Sequence, residues 1–193
     1  MLTDDDLDGA LRAARDGDET GFAVLWTALH PAVLRYLRVV VGDTAEDVAS
    51  ETWLQAARDL QRFTGGIGDF RGWLFRIARH RGIDQQRRTG RRREDPAEIV
   101  DTGGYAPDAA VQTEEGLDTS WALGIIATLP RDQAEAVMLR VVAGLDVATT
   151  AAVLGKRSGA VRIATMRGLR RLAAHPEVRA RNAATATEVS EEV

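Results

Sequence analysis

The stretch from Gly144 to Ala174 constrains this chain more than any other. Apolar residues at Val147, Ala148, Ala151, Ala152 and Leu154 predict a short helix. Gly155 follows, where a helix end takes the left-handed backbone that glycine adopts at least cost. Ser158 stands where an N-cap is needed, its hydroxyl offered to the first backbone N–H groups of a second helix. Val161, Met166, Leu169 and Leu172 are expected to face inward on that helix. Lys156, Arg157, Arg162, Arg167, Arg170 and Arg171 lie at its start or along it. A helix, a short turn containing glycine and a basic helix make a helix-turn-helix, whose second helix enters the DNA major groove. Two short helices with a solvated arginine face satisfy the same pattern. The rest of the chain has to decide.

The formal net charge over 193 residues is −4, which at first argues against nucleic acid. The average misleads, because the charge is segregated. Between Arg76 and Arg93 the only acid is Asp84, and between Lys156 and Arg181 the only acid is Glu177. Acids gather instead at 4–8, 43–51, 94–115 and 188–192. Two basic blocks with acidic surfaces elsewhere suit a protein that holds DNA at two places and a different partner with its acidic faces. No cysteine is present, which removes disulfide scaffolds, thiolate metal sites and cysteine nucleophiles. No apolar run is expected to span a bilayer, and the acidic N-terminus lacks a signal-peptide core. The default is a cytoplasmic protein without membrane insertion.

Helical periodicity recurs along the chain and no strand pattern does. Thr3 and Asp6 form a capping-box-like start to a first helix. A second helical region begins near Thr20, with Pro31 expected to kink or interrupt it. Gly42 and Asp43 break it, and Thr44 is expected to cap a third helix whose apolar face includes Val48, Trp53 and Leu60. The opposite face of that helix shows Glu46, Asp47, Ser50, Glu51 and Gln55. A loop with three glycines, Phe63 to Phe70, is flexible or sharply bent. A fourth helix, from Arg71 to about Arg88, buries Trp73, Leu74 and Ile77 and displays Arg76, Arg79, His80, Arg87 and Arg88. Periodicity then collapses over 91–116, which reads as a linker. It returns at Leu117, stops at Leu129-Pro130 and resumes over 131–142, with Ala134, Val137, Met138 and Val141 inward. The tail, 176–193, is polar and is expected to be disordered. The fold class is all-α: two small helical domains, 1–90 and 117–175, on a flexible acidic linker.

Several stretches in order carry a family resemblance: FAVLWTALHPAVLRYL, GDTAEDVASETWLQA, FRGWLFRIARHRGIDQQRR and LPRDQAEAVMLRVVAGLDVATTAAVLGKRSGAVRIATMRGLRRL. Together they resemble an extracytoplasmic-function (ECF) sigma factor of bacterial RNA polymerase. The resemblance implies that 1–90 docks on core polymerase and recognises and melts the −10 element, and that 117–175 reads the −35 element. Core docking then falls to Glu46, Asp47, Glu51 and Gln55. The glycine loop resembles the one that holds a flipped −10 base, which points to Phe63, Ile67, Asp69 and Phe70; for the two phenylalanines, plugs closing the domain remain the other reading. Arg76, Arg79, His80, Arg87 and Arg88 are implied as −10 contacts, and Asp84 as an orienting partner of a neighbouring arginine. In the second domain the implied −35 contacts are Lys156, Arg157, Ser158, Arg162, Arg167 and Arg170. The family's usual Gly-Thr-Val-Lys-Ser is here Gly159-Ala160-Val161-Arg162-Ile163, so two hydroxyls are missing from that face. The resemblance further implies that Asp95, Glu98, Asp101 and Asp108 of the linker imitate nucleic-acid charge in the polymerase channel; a plain disordered linker is the other reading. An anti-sigma factor is the further implied partner, covering the surface around Trp53 and Leu54 or the groove between domains.

The competing readings are a conventional helix-turn-helix regulator that binds DNA without polymerase, and an enzyme. The first needs a sensing or dimerisation domain over 1–90, where the chain offers a basic helix and a glycine loop. The second finds three scattered histidines, His30, His80 and His175, none with a carboxylate at the three-residue spacing of a di-iron helix motif, and no phosphate loop or nucleophile elbow. No cofactor is expected.

Overall fold

A computed structural model describes residues 2–93 and 114–191 of the chain. The described residues form helices and no strand. In order they are α1 (Asp4–Arg15), α2 (Glu19–Val41), α3 (Ala45–Asp59), α4 (Ile67–Arg93), α5 (Glu114–Ala127), α6 (Arg131–Val137), α7 (Val147–Leu154), α8 (Ser158–Ala174) and α9 (Pro176–Glu191). Short 3₁₀ turns lead into α3 and out of it, and α6 runs on into a π turn, Met138–Val142. The linker expected over 91–116, with Asp95, Glu98, Asp101 and Asp108, lies mostly outside the described residues.

Local sequence sets most of the helix ends. Thr3 and Asp6 make the full capping box on α1, with the Asp6 carboxylate accepting from the Thr3 amide at 2.8 Å. Asp18 caps α2, accepting from the Thr20 amide. Pro31 does not interrupt α2. The packing of Leu25, Leu29, Val33 and Leu37, all buried, outweighs the roughly 3 kcal/mol that an internal proline costs. Gly42 ends the helix with φ +62°. Thr44 makes no cap on α3; a 3₁₀ turn occupies that place, and its hydroxyl donates back to the Val41 carbonyl.

α2 is the central helix, packed by α1, α3 and α4 on the N-terminal side and by α5 and α6 on the C-terminal side. Within Glu19–Arg62 one stretch is apolar enough, by length and composition alone, to cross a membrane. Here its apolar residues line a shared core. α1 crosses α2 at Gly21, where an added Cβ would lie 2.6 Å from the Ala10 carbonyl oxygen. The two helical domains are closed onto each other: one apolar cluster runs from Leu7 through Tyr36 and Phe75 to Leu139, Leu154 and Val161. α7 lies on α4 so closely that a Cβ at Gly72 would meet Thr149 Cγ2 at 2.6 Å.

Three further sequence expectations need correction. In the π turn the extra residue per turn rotates the face, so Leu139 is buried and Val141 is exposed. On α8 the inward row is Val161, Thr165, Gly168 and Leu172, while Met166 and Leu169 point out. Gly168 decides this: α6 presses against it, and a Cβ there would lie 2.7 Å from Val137 Cγ2. The tail continues as α9, whose start is tied to α5. Trp121 Nε1 donates to Glu177 at 3.0 Å, and Arg181 pairs with Asp118 and stacks on the Trp121 ring.

Candidate nucleic-acid and partner interfaces

The helix-turn-helix is built from short-range devices. Asp146 caps α7, accepting from the Thr149 amide at 2.8 Å and from its hydroxyl at 2.7 Å. The Thr149 amide bond is the largest cause holding the Asp146 carboxyl below the ordinary carboxylate range. Gly155 takes the left-handed conformation, φ +64° and ψ +35°. Arg157, not Ser158, is the extended residue that precedes α8. Ser158 is the first helical residue and makes no cap bond, so amides at the start of α8 have no side-chain partner among the described residues. α8 carries four arginines and no acid. Arg162, Arg167, Arg170 and Arg171 are exposed, and none is in an ion pair among the described residues. Lys156 differs: its ammonium is bound to Asp132 of α6.

The glycine loop is sharply bent and pinned from both ends. The Ile67 amide donates to Asp8 of α1 at 2.6 Å, and the Gly66 amide to Asp69 at 3.2 Å. Gly65, at φ +127°, sits against the Asp69 side chain, where a Cβ would come within 2.8 Å. Asp69 therefore closes the loop as a cap on α4. Ile67 and Phe70 are buried and support the loop from beneath; neither offers a face to a base in this arrangement. Phe63 is half-buried, with its ring 5.5 Å from Phe70 and 5.1 Å from Trp73. Of the aromatic residues at the loop, Phe63 and Trp73 keep part of their surface open.

Along α4, Trp73, Arg76, His80 and Arg87 fall on one face at helical spacing, and the three basic residues are exposed. Arg88 is exposed on a neighbouring face. Arg87 has Asp84 at 3.9 Å, as an orienting partner would be placed. Arg79 is turned inward. Its Nε donates to Glu135 of α6 at 2.8 Å, while Arg131 donates to the other carboxylate oxygen at 2.7 Å. Glu135 is only 3% exposed, a buried charge held between two arginines from the two halves of the chain. Tyr36 lies fully buried nearby, and burial pushes its phenol pKa well up. Glu135 escaped sequence reasoning. Its signal was a carboxylate in register with the inward residues Ala134, Val137 and Met138, four residues after an arginine.

On α3, Glu46, Asp47 and Glu51 are exposed and Gln55 half-buried. Two of these acids already face arginines of the same domain: Glu46 with Arg38 at 3.3 Å and Glu51 with Arg81 at 3.7 Å. Gln55 accepts from Arg81 as well. Asp47 has no such partner among the described residues. Beside this face Leu54 is 57% exposed, whereas Trp53 is buried against Phe22.

Residues 25–92 match the family described as Sigma-70 region 2, and residues 121–172 match Sigma-70, region 4. The chain is 34% identical over 173 residues to ECF RNA polymerase sigma factor SigD of Mycobacterium tuberculosis, covering 86% of this chain and 82% of that protein. It is 35% identical over 181 residues to ECF RNA polymerase sigma factor ShbA of Streptomyces griseus, covering 88% and 95%. In fold it resembles the sigma factor RpoE of Bartonella quintana, solved with the anti-sigma factor NepR. The TM-score is 0.62 at 22% identity, with 79% of this chain and 94% of that one covered.

Proposed function

The chain belongs to the extracytoplasmic-function sigma factors, and from that premise we infer that it binds core RNA polymerase, recognises −35 and −10 promoter elements and starts transcription. The observation that carries this reading is the joining, in one chain, of a region 2 unit with a basic α4 and a region 4 unit whose α8 has arginines and no acid. It acts through binding rather than catalysis, in the cytoplasm where the polymerase works. Run-off transcription with purified core enzyme on genomic fragments tests it. Discrete transcripts that need the chain are expected. Specific DNA binding by the chain alone, with no transcription on adding core, would instead make it a conventional regulator.

Within region 2 we assign core docking to the exposed α3 face. Asp47 is its central residue, because Glu46, Glu51 and Gln55 are already engaged by Arg38 and Arg81. The −10 contacts are assigned to Arg76, His80, Arg87 and Arg88, with Phe63 and Trp73 as the open aromatic surface. Arg79 joins them once the domains part. In region 4 the −35 contacts are assigned to Arg157, Ser158, Arg162, Arg167 and Arg170, with Lys156 fixing the start of α8 to α6. An anti-sigma factor is the partner we assign to the apolar edge at Leu54 beside the α3 acids. Asp47→Arg is expected to weaken core binding in a pull-down while leaving the helical melting curve unchanged. Undiminished core binding would move the docking surface elsewhere.

The closed arrangement is not the one that reads a promoter. Elements centred about 25 base pairs apart lie roughly 85 Å apart along B-DNA, at about 3.4 Å per pair. A compact chain of this length has a radius of gyration of about 16 Å. The α4–α7 and Arg79–Glu135 contacts therefore have to break before both elements are held.

A further inference from the structure

α8 leaves one feature unexplained by the fold. Opposite the buried row Val161, Thr165, Gly168 and Leu172, at 100° per residue, lies the row Gly159, Ile163, Met166 and Arg170. Ile163 is 49% exposed and Met166 43%. Two apolar side chains thus stand at the outermost line of the helix, with Arg162 and Arg167 exposed on either side. Among the described residues no neighbouring element covers them. An ordinary solvated helix places polar residues there.

The charge around them selects the partner. A helix with four arginines and no acid complements a polyanion. A helix lying in the major groove directs its outermost row at the base edges and its flanks at the two phosphate walls. Arg162 and Arg167 meet the walls in that orientation. Gly159, with no side chain, lets the start of the helix approach the bases closely. Among the groups displayed in the major groove the thymine C5-methyl is the apolar one, and apolar side chains read it by contact.

Resting on the sigma-factor reading above, we propose that Ile163 is a specificity-determining residue of the −35 element that contacts the C5-methyl of a thymine, with Met166 closing the apolar contact on one side. The residue replaces hydrogen-bond readout by shape and apolar burial at one base pair. Its contribution is that of about one methyl group removed from water, or roughly a fourfold preference for thymine over the same base without its methyl.

The test uses holoenzyme assembled from core polymerase and the full chain. A −35 element is first selected from a randomised promoter library. Each selected thymine is then replaced singly by deoxyuridine, which keeps every hydrogen-bonding group and loses only the methyl. At one position wild-type holoenzyme is expected to bind the thymine probe about fourfold more tightly. Ile163→Ser is expected to bind both probes equally, and Arg162→Ala to weaken both while keeping their ratio. A second, smaller loss of discrimination is expected for Met166→Ser. Selection of a clear element with no thymine-to-deoxyuridine difference at any position would overturn the proposal and leave the apolar row to a protein partner. A difference that survives Ile163→Ser would also overturn it. Failure to select any −35 element would overturn the underlying sigma-factor reading instead.

Discussion

The two basic helices look alike in sequence and differ in what surrounds them. α4 contributes Arg71, Arg79, Arg81 and Arg87 to contacts with Asp4, Glu135, Glu51 with Gln55, and Asp84. On α8, Arg162, Arg167, Arg170 and Arg171 meet no carboxylate among the described residues, and at its start only Lys156 does. Much of the charge of α4 is thus directed inward or laterally within the protein, whereas that of α8 is presented outward. The difference teaches that a count of arginines overstates a binding surface wherever acids from other elements are packed against it. It also separates two jobs. α8 is ready for a polyanion as it stands, while α4 has one arginine, Arg79, that becomes available only when α6 moves away.

The largest expected effect follows directly. Arg162→Glu with Arg167→Glu should reduce −35-dependent promoter binding by roughly a hundredfold near 0.15 M salt, measured by gel shift with holoenzyme. On α4, Arg87→Glu should cost roughly tenfold or less, because Asp84 already offsets that charge. Equal losses from the two helices would remove the distinction between them.

Glu135→Gln probes the seam that makes α4 different. The change weakens charge-assisted bonds from Arg79 and Arg131 in a buried site, so stability should fall by about 2 kcal/mol in urea unfolding. It should also free Arg79, so that affinity of the chain for single-stranded −10 DNA rises while stability falls. A variant as stable as wild type, with no gain in DNA affinity, would show that the closed seam rests on apolar packing alone.

The smallest effect is at Asp146, the cap of the helix that covers α4. Asp146→Ala should lower stability by about 1 kcal/mol at neutral pH. Because the folded carboxyl is held below its ordinary value of 3.8, the advantage is fully present above that value and is lost as pH falls through the folded pKa. Thermal melts of wild type and variant should therefore differ at pH 7 and converge in strong acid. A gap that persists unchanged to low pH would mean that the carboxylate is not the source.

What the sequence determined by itself is what depends on a few neighbouring residues. The capping box at Thr3 and Asp6, the left-handed turn at Gly155 and the break at Leu129-Pro130 are written in adjacent positions, because caps and turns close within one or two helical turns. The family membership belongs with them, since its motifs are contiguous strings. Tertiary structure decided which face of each helix is used. Met166 and Leu169 have the hydrophobicity of core residues, but Gly168 allows α6 to press on α8 and so turns Ile163 and Met166 to the outside. Ile67, expected at a base, and Phe70, expected either at a base or as a plug closing the domain, are buried beneath the loop, Phe70 against Trp73 and Ile67 with its amide bonded to Asp8 of α1. Arg79 finds Glu135 across 56 positions of chain. Periodicity fixes that a helix has an apolar side, but the partner that side meets, and the charges left over for other molecules, are settled only when distant elements pack against one another.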